Sequence, residues 1–155
     1  MSPRYFALVI GFLYLAGGII GFLPGLTQSP PADAPHLTVE AGYGYLLGLF
    51  PINAFHNLVH LAIGGWGLMA SRGFVAARLF ARGLAVVYGV LTVMGLLPGW
   101  NTAFGFIPLF GHDVWLHGVT TLVAFYFGFS APAEITWVRR TDIKSDKVKV
   151  YEEHP

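Results

Sequence analysis

Ile52-Asn-Ala-Phe-His56-Asn-Leu-Val-His60-Leu-Ala-Ile-Gly64-Gly-Trp-Gly67-Leu-Met-Ala70 decides the fold, because it contains no Asp, Glu, Lys or Arg. A stretch of this length and polarity corresponds to the ~20 residues that cross a ~30 Å hydrocarbon core. Its few polar groups are ordered. Asn53, His56, Asn57 and His60 follow at spacings of 3, 1 and 3, and Gly64, Gly67 and Ser71 continue the same helical face. Polar groups pointed into lipid are expensive, so this face is expected to turn inward against other helices.

The entry to this segment has a second copy 57 residues on. Gly48-Leu-Phe-Pro51-Ile-Asn-Ala-Phe-His56-Asn-Leu-Val-His60 matches Gly105-Phe-Ile-Pro108-Leu-Phe-Gly-His-Asp113-Val-Trp-Leu-His117 as Gly-x-x-Pro-x4-(His/Asp)-x3-His. Groups four residues apart lie on one helical face, about 6 Å apart in height. Each copy therefore offers two metal or proton ligands on one face.

Other segments have the same apolar character. The 155-residue chain is 55% hydrophobic and 11% charged, with mean hydropathy +0.62. Its apolar residues fall in runs at about 5–23, 52–70, 80–97 and 113–130. Such runs meet lipid on most sides, so the expected fold is all-α, an integral membrane four-helix bundle. The run 5–23 is read as a retained span rather than a cleaved signal, because Leu-Pro-Gly follows it and no small-x-small site does. Val9-Ile-Gly11-Phe-Leu13 also matches Val87-Tyr-Gly89-Val-Leu91, and Leu-Pro-Gly recurs at 23–25 and 97–99. The bundle is therefore read as two tandem helix-loop-helix repeats, about 5–70 and 80–130, in a transmembrane domain 1–130. A cytoplasmic tail, 131–155, follows, with Trp137, Arg139 and Arg140 as an interfacial anchor.

All nine Lys and Arg lie at Arg4, at Arg72, Arg78 and Arg82, and in the tail. The positive-inside rule then places both termini and the middle loop in the cytoplasm. Residues 24–51 and 98–112 face outward, and both ligand pairs lie near the outer membrane face. The apolar, aromatic stretches 43–51 and 98–110 are expected to cap the bundle at the interface, with 26–40 as an exposed polar loop. Arg78 and Arg82 are expected to reach toward lipid phosphates.

The polar faces have two readings. As structure, His, Asn and Asp bond between helices and fix their register, with Asn53 capping its helix. As a site, His56, His60, Asp113 and His117 form the nitrogen/oxygen set favoured by iron, copper or zinc. Asn53, Asn57, Thr120 and Thr121 would then support the cluster. His60 and His117 could instead be the axial ligands of a haem, with Gly64 and Gly67 admitting the porphyrin edge. The absence of cysteine removes thiolate and iron–sulfur chemistry. No nucleophile motif, phosphate loop or oxyanion hole marks an enzyme, and nothing suggests nucleic-acid binding.

The His-Asn-Leu-Val-His segment, with Trp-Asn-Thr-Ala-Phe-Gly and Asp-Val-Trp-Leu-His, resembles an uncharacterised bacterial family of small four-span membrane proteins over about residues 5–130. The resemblance implies that topology and a bacterial inner or thylakoid-type membrane, and it brings no activity. The layout is also broadly similar to DoxX-like membrane proteins. Two functions are expected: a membrane protein binding a metal ion or haem at the duplicated site, or an accessory subunit of a larger respiratory or photosynthetic complex. In the second, the histidines are interhelical glue or ligands to a partner's pigment, such as chlorophyll. A homo-oligomer is a further partner class.

Overall fold

A computed structural model describes residues 2–132; the expected tail from residue 133 on, with its anchor, lies outside the described residues. The chain is mostly helical. It runs α1 (Pro3–Ile20), β1 (Thr27–Gln28), β2 (Gly44–Leu46), β3 (Phe50–Ile52), α2 (Ala54–Ala70), α3 (Phe74–Leu96) and α4 (His112–Phe125). A π-helical turn, Tyr126–Ser130, completes the last helix. Two helices, α1 and α3, are long and apolar enough to cross a membrane.

The helices pack as neighbours in sequence, α1 on α2 and α3 on α4, with α1 and α3 also in contact. Glycine sets the first pairing. A Cβ on Gly64 would come within 2.5 Å of the Leu15 backbone nitrogen, and one on Gly11 within 2.7 Å of the Leu68 nitrogen. This close backbone approach is the small-residue packing used where helices associate without a solvent-driven force. At the end carrying Arg4, Arg72, Arg78 and Arg82, the core is Phe6, Ala7, Phe80, Ala81, Ala124 and Phe127. Phe6 stacks on Phe127 with ring centroids 4.9 Å apart.

At the opposite end the connections form more than an irregular cap. β1, β2 and β3 make a small antiparallel sheet, with Thr27 paired to Leu46 and Tyr45 to Pro51. The 26–40 segment is largely exposed, yet it buries Leu37 and is tied to the second connection where Thr38 and Val39 donate to the Gly105 carbonyl at 2.9 and 3.2 Å. Leu47-Gly48 and Phe104-Gly105, the equivalent dipeptides of the two motif copies, all have positive φ: 54°, 71°, 60° and 89°. Both large side chains are displayed rather than buried, Leu47 being 56% and Phe104 68% exposed. For a bulky residue this backbone costs about 1–2 kcal/mol.

The basic residues of α3 depart from expectation. The helix starts at Phe74, six residues before the apolar run at 80, so Arg78 and Arg82 belong to it. Instead of reaching outward, the Arg78 Nε and Arg82 Nε donate to the Gly128 carbonyl at 3.2 and 2.9 Å, and an Arg78 terminal nitrogen donates to the Ala131 carbonyl at 3.1 Å. The π turn leaves these terminal carbonyls without helical partners, and the guanidinium groups satisfy them.

Candidate functional site

The cluster begins in the first turn of α2. Asn53, fully buried, caps this helix: its Oδ1 accepts from the His56 backbone N–H at 2.9 Å. Its Nδ2 donates to the Val39 carbonyl at 3.0 Å and the Phe106 carbonyl at 2.7 Å. One amide thereby joins both connections to the start of α2 and fixes the backbone that carries His56. The cap is lined by Tyr43, whose hydroxyl donates to the Pro35 carbonyl at 2.9 Å. Desolvation pushes the Tyr43 and Tyr45 hydroxyls above the ordinary tyrosine range, so both stay neutral donors.

Below Asn53, the i, i+4 spacing brings His56 and His60 together, with their Nε2 atoms 3.0 Å apart. From α4, Asp113 Oδ2 lies 3.6 Å from His56 Nδ1, and the His117 ring centroid is 6.4 Å from that of His56. His56, Asp113 and His117 are 3%, 2% and 2% exposed; His60 is part-buried. The two motif copies therefore meet in one place. Two nitrogens bound to one ion at about 2.0–2.1 Å are roughly 2.9–3.4 Å apart. The His56–His60 spacing matches that of cis metal ligands, and equally that of an N–H···N bond. Among the described residues, no three His, Cys, Asp or Glu side chains are already arranged around one ion.

Unfilled hydrogen-bonding capacity sets this place apart. His56 Nδ1, Asn57 Oδ1, Asp113 Oδ2 and His117 Nδ1 are buried side-chain atoms without a hydrogen-bond partner. A buried polar atom left unpaired costs about 1–3 kcal/mol, and more where it is charged. Three of the four belong to the expected ligands; the fourth, in Asn57, packs against Gly21 in the α1–α2 interface.

The other expected residues divide by role. Thr121 Oγ1 donates to the His117 carbonyl at 2.8 Å, a back-bond within its own helix. Thr120 Oγ1 shares a 3.3 Å hydrogen bond with the Tyr14 hydroxyl. Gly64 and Gly67 face the backbone of α1 at Leu15, Gly11 and Ala7, so they make a helix contact. They do not open a slot beside His60 and His117. Two residues that the motif did not identify complete the cluster. Tyr14 lies edge-on to His60 at 4.9 Å, Tyr88 edge-on to His117 at 5.0 Å, and the two tyrosines meet at 5.4 Å. With His56 they close a circle of five aromatic rings drawn from all four helices. The only sequence signal for this was the presence of tyrosine in the apolar runs 5–23 and 80–97.

The chain belongs to the DUF4383 family, a domain of unknown function, whose family model matches residues 4–130. The likeness to DoxX-like proteins is not shown by that match. No curated protein and no solved structure matches the chain.

Proposed function

We propose that this protein is an integral membrane four-helix bundle, built as two tandem repeats, that binds a transition-metal ion through His56, His60, Asp113 and His117. The observation that carries the metal reading is the meeting of unpaired His56 Nδ1, Asp113 Oδ2 and His117 Nδ1 in one buried cluster. A cation taken up here would engage these groups, as ligands or through a hydrogen bond behind a ligating ring, and imidazole with carboxylate suits zinc, copper or iron. Binding draws Asp113 or His117 a short way toward the His56–His60 pair. Haem fits less well, since Tyr14 and Tyr88 run as a chain of rings between His60 and His117. Burial of His56 and His117 also argues against their ligating a partner's pigment.

The membrane reading draws on the exposed helix faces. Phe12, Leu13, Val86, Val90, Val119 and Leu122 all point outward as large apolar side chains, as lipid contact requires. Arg4, Arg72, Arg78 and Arg82 gather at one end, and residues 21–53 and 97–112 contain no Lys or Arg. That asymmetry supports cytoplasmic termini and an outward-facing cap. The cysteine-free chain makes this simple to test. A cysteine at Ser29 should react with an impermeant maleimide in intact cells, and one at Ser71 only after lysis.

Metal content per chain, measured on untagged protein in mild detergent, tests the site. About one equivalent of iron, copper or zinc, lost in His60→Asn and His117→Asn, is the expected result. Metal-free protein that was never exposed to chelator overturns it. The second reading, an accessory subunit whose histidines are glue, is favoured by the 3.0 Å His56–His60 contact. It requires that both Asn variants fold and leave no metal to lose.

A further inference from the structure

We propose that Asp113 is a positioning residue: it fixes His56 as the Nδ1–H tautomer, so that the His56 Nε2 lone pair is aimed at His60. A neutral imidazole has one donor and one acceptor nitrogen, and its surroundings choose which is which. The two ring nitrogens of His56 face different groups. Nε2 meets His60 Nε2 at 3.0 Å, while Nδ1 meets Asp113 Oδ2 at 3.6 Å. As an ionised carboxylate Asp113 can only accept, and in that state it places the hydrogen on His56 Nδ1. The separation exceeds a hydrogen bond, yet neither atom has another partner and both are buried. A small side-chain rotation closes it, relieving two unpaired atoms at once.

One other acceptor is near the ring, the Pro51 carbonyl. It also favours a hydrogen on His56, and the experiment below separates its effect from that of Asp113. The other neighbours do not compete. The Tyr14 hydroxyl is engaged with Thr120, and His117 stands 6.4 Å away, ring to ring. With Nδ1 protonated, His56 Nε2 accepts from His60 Nε2–H in the metal-free protein. That acceptor pair is also where two cis ligands of one ion belong. The four motif residues then have unequal roles. His56 and His60 present the nitrogen pair, and Asp113 acts through His56, as carboxylates behind ligating histidines do. This consequence rests on the metal reading and moves Asp113 from the ligand set to a place behind His56, whereas the tautomer does not depend on a metal.

The test uses the full chain, ¹⁵N-labelled at histidine, in detergent and free of metal. Nitrogen shifts and one-bond N–H couplings report the tautomer of each ring. His56 should be Nδ1–H in the wild type and lose that state in Asp113→Leu. Should Asp113→Leu not fold, Asp113→Asn replaces it, because its amide can donate to Nδ1 and drive the ring to Nε2–H. A wild-type His56 in the Nε2–H form overturns the proposal. So does an Asp113→Leu protein whose His56 is unchanged, which would assign the tautomer to Pro51. Titration with Cu(II) then examines the consequence. Asp113→Asn should keep one equivalent, weaken binding by about 10–100-fold, and alter the remote-nitrogen signal in pulsed electron paramagnetic resonance. Loss of an oxygen ligand from the Cu(II) spectrum would make Asp113 a direct ligand and overturn its positioning role. A wild type that binds no Cu(II) while His56 behaves as expected removes copper from the metal reading and leaves the Asp113–His56 relation standing.

Discussion

Phe6, Phe80 and Phe127 at the arginine-bearing end, and His56, Asp113 and His117 at the capped end, occupy equivalent places between the helices. The first group makes ring contacts and leaves nothing unpaired. The second leaves buried nitrogen and oxygen atoms without partners. Both ends are enclosed, one by packed small and aromatic residues, the other by a sheet and the Asn53 amide. The difference separates two tasks. One end is arranged for close approach of backbones, and the other keeps polar capacity in reserve at a cost in stability.

The sharpest way to test that division is to disturb the backbone contact. Gly64→Leu would drive a side chain into the Leu15 backbone. It should cost about 3 kcal/mol, the upper part of the range for overpacking, and markedly lower the thermal transition in detergent. Gly65→Ala, next to it and with nothing within 4 Å of its Cβ, should be neutral or stabilise by up to about 1 kcal/mol. Equal effects at the two positions would end the close-contact account.

Asn53→Ala comes next. It removes a helix cap and leaves the Val39 and Phe106 carbonyls unpaired, for an expected loss of about 2–3 kcal/mol in thermal unfolding. His117→Leu carries the comparison to the reserve itself. Replacing an incompletely satisfied polar group with an apolar one of similar volume should change stability by less than about 1 kcal/mol, while elemental analysis shows metal lost. A loss above about 3 kcal/mol would mean that the polar cluster holds the fold. Smallest of all, Leu47→Gly should relieve the positive φ of the first turn and raise the unfolding midpoint, by about 1 kcal/mol or less once glycine's added chain entropy is counted.

Much of this was legible before the structure. The apolar runs place all four helices, because nearly charge-free stretches of that length leave few alternatives. The i, i+4 pairs bring His56 to His60 and point Asp113 and His117 at them, since those positions share a face whatever the tertiary detail. The sheet was not legible. Its strands are two or three residues long, and Pro51 and Gly44 are residues that ordinarily argue against a strand. The start of α3 at Phe74 lay outside the apolar run, and Arg78 and Arg82 read as reaching toward phosphates because their acceptors lie on the far end of α4. Tyr14 and Tyr88 carried no signal of their own, because their partners lie on other helices. Gly64 and Gly67 fitted both a cofactor edge and a helix contact, and only the position of α1 separates them.

The arginine contacts with Gly128 and Ala131 also bear on the order in which the chain is made. Synthesis delivers α3 with its guanidinium groups before α4 ends in carbonyls that lack helical partners. The donors are in place when the acceptors emerge, and α4 closes onto a finished template. Likewise α2 arrives to find the glycine track of α1 already present. Each half of the molecule can thus complete its main contacts with the segment made just before it, and only the polar cluster must wait for all four helices.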